Sequence, residues 1–354
     1  MIKNVFRPYK NKSTWNLINS MLVLNSCRIP GIVKATPSLL KFSKFIGCSS
    51  VSNSFIKNTF FKYFCGGENV SEIVPVMQNF HESGINSILD LAMEETGMEK
   101  TDITKLICDS IDIAKYHKDN FVSIKISALE DFKEDIDYTY LNKICEYAKN
   151  NKVMVMIDAE SSKIQPFIDE IARNLADTWN TDNCVVWNTY QMYLKDSMER
   201  LKKDLSNRKN GMGVKLVRGA YMESENPDIL HNSIEATHSN YNEGVEHCID
   251  EIHKGMNVNL MLATHNQESI LLAMRHIKPS ARGNIKFGQL YGMKDDITFD
   301  IAGSGYSVYK YIPYGPVITA IPYLIRRAQE NSNVLSNLSV DNKLYIDELL
   351  CRFY

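Results

Sequence analysis

Eight short apolar runs alternate with stretches of helical spacing, and this alternation most limits what the chain can fold into. The strand candidates are residues 87–91, 121–126, 153–158, 184–190, 214–218, 258–264, 285–290 and 307–311. The helical stretches cover 101–117, 138–150, 164–175, 191–208, 233–254 and 267–277, with 318–331 after the eighth strand and a further amphipathic stretch at 71–84 ahead of the first. Strand–helix units repeated eight times within some 270 residues predict a (β/α)8 barrel of the TIM type rather than an open sheet. No G-x-G-x-x-G follows the first run, so the usual mark of an open dinucleotide-binding sheet is missing.

Charge divides the chain unevenly. Residues 1–67 hold ten Lys or Arg and no acid before Glu68; an overall charge of −2 therefore leaves −12 on the rest. A basic, acid-free stretch rich in Ser and Asn reads as a mitochondrial presequence and linker over residues 1–57, without ordered structure, ahead of a catalytic domain over 58–354. A nucleic-acid arm fits the acidic body poorly, so no nucleic-acid partner is expected. The eight cysteines are scattered without a C-x-x-C, which suits free thiols in a reducing compartment. Histidine pairs such as His247 and His253 lack paired cysteines or a third ligand in sequence, and no metal is expected. No run of eighteen apolar residues is available to span a membrane.

In a barrel, chemistry belongs at the C-terminal ends of the strands. Polar residues collect there: Lys125, Asp158 with Glu160, Tyr190-Gln191, Lys215 through Tyr221, Thr264-His265-Asn266, Gln289 through Met293, and Tyr311. Singly, each has an ordinary structural reading, Asp158 as a helix cap or His265 as a satisfied ring; convergence on one barrel face is what argues for a site. Beyond the last strand, Tyr323, Arg326, Arg327 and Glu330 share one helix face. Adjacent guanidiniums suit a carboxylate ligand, although a solvated basic patch at a helix end has the same pattern.

The motifs KLVRGAYMESE (215–225), MIDAE (156–160), TYQMYLK (189–195), ATHN (263–266), FGQLYGM (287–293) and YIPYGP with PYLIRRAQEN (311–316, 322–331) together resemble the proline dehydrogenase family over about residues 58–353. Of its forms, the monofunctional mitochondrial one of fungal type is the most similar. The resemblance implies a distorted (β/α)8 barrel with the last helix over its mouth, non-covalent FAD, and oxidation of L-proline to Δ1-pyrroline-5-carboxylate. It further implies transfer of the electrons to ubiquinone, in the mitochondrial matrix at the inner membrane. By motif, Arg326, Arg327 and Lys125 would bind the proline carboxylate, while Tyr221, Leu290, Tyr311 and Tyr323 would wall the ring and Asp158 and Glu330 complete the polar frame. Flavin contacts would come from Asp158, Gln191, Lys215, Val217, Arg218, Gly219, Thr237, His238, Thr264 and His265. Glu94 is expected to latch onto Arg326 when the site closes, and Thr319 stands where many members carry an acid. The amphipathic segment 342–354 is expected either to meet the inner membrane or to cap the barrel.

Two other activities share these residues. Hydroxyproline dehydrogenase differs by a hydroxyl at ring C4, which an aromatic side chain at Tyr323 should crowd. A Schiff-base aldolase would use Lys125 as its nucleophile.

Overall fold

The computed structural model describes residues 9–10, 12–27, 29, 31, 49–92, 97–130, 132, 136–208, 210–333 and 338–353. Eight parallel strands close into a barrel in the order of the sequence, β1 to β8, the architecture that the alternating runs predict. They are β1 (Ile85–Leu91), β2 (Phe121–Ile124), β3 (Met154–Ile157), β4 (Val186–Gln191), β5 (Met212–Val217), β6 (Val258–Ala263), β7 (Ile285–Leu290) and β8 (Ser307–Tyr314). Pairing of β1 with β8, Ile85 opposite Val308 through Leu91 opposite Tyr314, seals the ring.

Ahead of the barrel lie α1 (Thr14–Cys27), α2 (Ser49–Ile56), which continues through a wide turn to Phe64, and α3 (Val70–His81). The helices between strands are α4 (Lys100–Ala114), α5 (Tyr138–Asn150), α6 (Gln165–Trp179), α7 (Ser197–Asn207), α8 (Ile234–His253), α9 (Gln267–His276) and α10 (Asp295–Gly303). After β8 come α11 (Val317–Asn333) and α12 (Leu338–Phe353). Side chains set several of the starts: Asn69, Asp137, Ser233 and Asn266 each accept a backbone N–H from the first turn that follows.

Both faces of the strands are buried, as closed parallel sheets require. Outward residues such as Leu89, Val122, Val155 and Ile312 pack under the first helices, and Val214, Leu216, Leu260 and Phe287 under the later ones. Each fully buried aliphatic side chain contributes about 1.5–3 kcal/mol. Inside the barrel, Ile88, Phe121, Met156, Trp187, Met261 and Tyr309 form a plug. Gly213 makes room for it, since a Cβ there would stand 2.3 Å from the Trp187 ring. Two residues further along each strand the inward positions turn polar or small, and the interior opens toward the mouth.

A third cluster covers the mouth end. Leu17, Val23 and Leu24 of α1, Phe61 and Phe64, Ala320, Leu324 and Ala328 of α11, and Tyr345 of α12 pack together. Tyr9 stacks on Tyr345 at 4.3 Å. The Arg352 guanidinium donates to the carbonyls of Tyr9 at 3.0 Å and Lys12 at 2.6 Å. The expectation of a segment without ordered structure over 1–57 is therefore corrected for α1. Its cationic composition masked an apolar helix face, built on Leu17, Val23 and Leu24, that needs a partner. α12 is held by these contacts as a capping helix.

Candidate active site

Inward positions near the C-terminal ends of the strands line a cavity of about 520 Å³, roofed by α11. Thr319, Pro322, Tyr323, Arg326, Arg327 and Glu330 face it at spacings of three and four, so a single helix stripe looks down into the barrel. From the strands come Asp90, Lys125, Asp158, Thr189, Gln191, Lys215, Val217, Leu290 and Tyr311. On β1, β2, β3, β4 and β8 each sits an even number of positions from a residue of the interior plug, while Lys215 and Val217 keep the parity of Gly213 beneath the Trp187 ring and Leu290 that of Lys286, which lies over the same ring.

Asp158 is the hub of the floor. Its Oδ1 accepts from Lys215 Nζ at 2.6 Å, and its Oδ2 from Tyr311 Oη at 2.6 Å and Ser123 Oγ at 2.5 Å. Burial would raise its pKa, but Lys215 and Lys125 outweigh that and hold it below the usual carboxylate range. The Tyr311 hydroxyl is pushed well above its ordinary value by burial and by the Asp158 charge, so it stays a donor. Lys125 Nζ pairs with Asp90 at 3.0 Å. Burial raises the Asp90 pKa despite Lys125, with repulsion from Asp158 adding to it. Asp158 thereby positions Lys215 and Tyr311 while itself lining the cavity.

On the wall, the Arg218 guanidinium is held entirely by neutral acceptors: His238 Nδ1 at 2.9 Å, Thr264 Oγ1 at 2.6 Å and Ser269 Oγ at 2.9 Å. It lies 4.3 Å from the centre of the Tyr241 ring, and burial lowers its pKa. No carboxylate pairs with it among the described residues, so this cation is left to be neutralised from the cavity. His265 Nε2 accepts the Leu290 N–H at 3.0 Å; burial, with Lys310, Arg327 and Lys294, pushes its pKa down to about 3. The ring is neutral and its Nδ1 carries the proton. Gln191 donates to the Glu160 carbonyl at 2.8 Å and accepts from the Ala220 N–H at 3.4 Å. Gly219, at φ +136, passes beneath Tyr193 where a Cβ would come within 1.8 Å of the ring.

At the roof, Arg327 pairs with Glu330 at 2.6 Å and lies 5.3 Å from the Tyr323 ring centre, while Arg326 lies 5.8 Å from that of Tyr221. Burial raises the Glu330 pKa, with Arg327 and Arg326 opposing it. The buried Tyr323 hydroxyl has no hydrogen-bond partner among the described residues.

Every site residue that the resemblance implies lines this cavity except Thr237 and Glu94, while Glu160, Tyr190, Tyr291 and Met293 of the strand ends do not line it. Thr237 is buried one position, some 100° of helix, away from His238, and its Oγ1 donates to the Ser233 carbonyl instead. Glu94 lies outside the described residues. Sequence reasoning missed Asp90 and Ser123, although the inward parity of Ile88 and Phe121 marks both. Thr189, Gly288, Gln289 and Asn266 also reach the cavity.

The family model described as proline dehydrogenase matches residues 74–340. Proline dehydrogenase 1, mitochondrial, of Dictyostelium discoideum is 30% identical over an alignment of 421 positions, covering 97% of this chain and 73% of that protein. Hydroxyproline dehydrogenase of Xenopus laevis is 28% identical, covering 98% of this chain and 89% of its own length. Proline dehydrogenase 2, mitochondrial, of Arabidopsis thaliana reaches 40% identity over 226 positions, 59% of this chain and 48% of that protein. Among solved structures, proline utilization A from Bdellovibrio bacteriovorus, inactivated by N-propargylglycine, superposes with a TM-score of 0.71 at 19% identity. The superposition covers 90% of this chain and 36% of that much longer one, and it bears on the fold alone. With the family model spanning the barrel and a relative at 30% identity along nearly its whole length, the chain belongs to the proline dehydrogenase family.

Proposed function

We propose that this barrel oxidises L-proline to Δ1-pyrroline-5-carboxylate with FAD held in the cavity, and passes the electrons to ubiquinone. The observation that carries the reading is a cavity with a cationic pole at each end: Arg218 without a carboxylate partner on the wall, and Arg326 with Arg327 on the roof. The wall fits an anionic, electron-rich cofactor. Around Arg218 the donor set comprises Lys215, Gln191, Thr264, His238 and His265, with backbone at Val217 and Gly219, and the charge of Asp158 there is already offset by Lys215. Bound FAD supplies the two-electron acceptor for the substrate's C5 hydride.

The chain's own residues bind and orient. Arg326, Arg327 and the Lys125 ammonium are placed to receive the substrate carboxylate, charge-assisted contacts that fix one end of a small ring. Tyr311, Tyr323, Leu290 and Tyr221 supply walls, and the unpartnered Tyr323 hydroxyl faces a cavity in which a ligand can satisfy it. Glu330 restrains Arg327, while Asp158 holds Lys215 and Tyr311 at the floor. The α11 roof covers the space between. Lys125 sits in an ion pair with Asp90, an unsuitable state for the free amine an aldolase needs.

Mitochondrial residence is supported by the mitochondrial Dictyostelium and Arabidopsis relatives and by the acid-free N-terminal stretch. No described helix is long and apolar enough to cross a membrane. Ubiquinone access is therefore read as peripheral contact with the inner membrane, in which exposed Ile346, Leu350 and Phe353 of α12 are available to take part. The monofunctional, fungal-type assignment and the Glu94–Arg326 latch rest on the motif resemblance.

Hydroxyproline is the second reading, favoured by the similarity to the Xenopus enzyme over nearly the full chain. Tyr323 favours proline: by motif its ring lies beside the edge of the substrate ring, where an aromatic side chain should crowd a C4 hydroxyl. The purified protein should show flavin absorption near ~450 nm and reduce a quinone with proline. Its kcat/KM should be higher for L-proline than for trans-4-hydroxy-L-proline. A colourless protein, or a preference for the hydroxylated substrate, overturns the assignment.

A further inference from the structure

We propose that the end of the barrel remote from the mouth carries a divalent transition-metal site of the kind that takes Zn²⁺, formed by Asp250 and His253 near the end of α8 and His276 at the end of α9. The three ligand atoms lie within 4.8 Å of one another, and Asp250 Oδ1 is already 2.9 Å from His276 Nε2. In sequence His253, paired with His247, lacks a third ligand. Side-by-side packing of α8 and α9 supplies the missing third ligand.

This place is separate from the catalytic cavity. α8 and α9 both begin at the mouth, where His238 and Asn266 line it, and both end at the opposite face. His253 follows His238 by about 22 Å of helix axis. An ion there clips two helix ends together and takes no part in substrate chemistry.

The donor set selects the metal. Two imidazoles and one carboxylate, with water completing a tetrahedron, are a recurrent zinc arrangement. Calcium and magnesium need several oxygens, and the site offers one carboxylate with Lys254 and Lys278 close by. Metal replaces the direct contact between Asp250 Oδ1 and His276 Nε2. Nitrogen and oxygen each about 2.0–2.1 Å from a tetrahedral ion stand about 3.3 Å apart, so the present pair opens by only a few tenths of an ångström. His253 Nε2 accepts a long 3.3 Å bond from the Lys278 N–H, a contact that yields readily as the ring turns.

The test titrates ZnCl₂ into the chelator-treated, flavin-loaded full chain, with calorimetry and thermal melting as readouts. One saturable zinc per chain and a rise in Tm are expected. His276→Ala and Asp250→Asn should each weaken binding by about tenfold or more and abolish the rise in Tm, while proline turnover without added zinc stays at the wild-type rate. MgCl₂ should do nothing. Absence of saturable zinc binding, or binding of equal strength in wild type and both variants, overturns the proposal.

Discussion

His265 allows the electrostatics of the cavity to be tested without a substrate. Its Nε2 is taken by the Leu290 N–H, and burial beside Lys310, Arg327 and Lys294 moves its pKa from 6.5 down to about 3. A group whose folded pKa is depressed contributes stability that is complete above the unfolded value and is lost as pH falls through the folded one. For His265 that window runs from about 6.5 down to about 3. At pH 5 the unfolded chain binds this proton and the folded chain does not, so linkage removes ~2 kcal/mol relative to pH 7.5. The figure is an upper one, because the ring is only partly buried and water reaches it through the cavity. His265→Gln keeps an acceptor near the Nε2 position and removes the titration. Urea unfolding of wild type and variant at pH 7.5 and pH 5 then isolates the effect, since His117, His238 and His253, also lowered by burial, contribute equally to both proteins. Wild type should lose more than H265Q between the two conditions, by up to about 2 kcal/mol. Equal losses would refute the reasoning and place the proton uptake elsewhere.

Arg326→Met or Arg327→Met should lower kcat/KM for proline by about 10- to 100-fold, the worth of a charge-assisted contact, while the flavin spectrum is retained. Loss of flavin instead would put α11 over the wrong ligand. Gly213→Ala should destabilise by ~1–3 kcal/mol in chemical denaturation, because the new methyl lands on the Trp187 ring of the interior plug. Removing residues 1–57 strips α1 from the roof and should lower the melting temperature of the holoprotein; an unchanged value would mean that α1 does not support α11.

The barrel was legible because its strands are buried on both faces and read as unbroken apolar runs, and because polar residues mark their C-terminal ends. Boundaries moved where turns intervened: the stretch from Gln191 begins as the end of β4, and α7 starts only at Ser197. α10 escaped notice because DDITFDIAG is a short helix with two acids at its start and a glycine at its end, too brief for periodicity to show. α1 was hidden by judging the N-terminal stretch on charge alone. At the site, the resemblance identified most of the cavity wall, and strand parity supplies Asp90 and Ser123. Contacts between separate helices, such as His276 with Asp250, depend on packing angles that no local pattern encodes.

The clasp of Arg352 on the carbonyls of Tyr9 and Lys12 bears on the order of assembly. α1 leaves the ribosome before every strand of the barrel, yet α11 and α12, on which it packs, emerge after all of them. A helix made ahead of the barrel is therefore seated only behind it, and until then its apolar face and basic neighbours are open to any receptor that reads them.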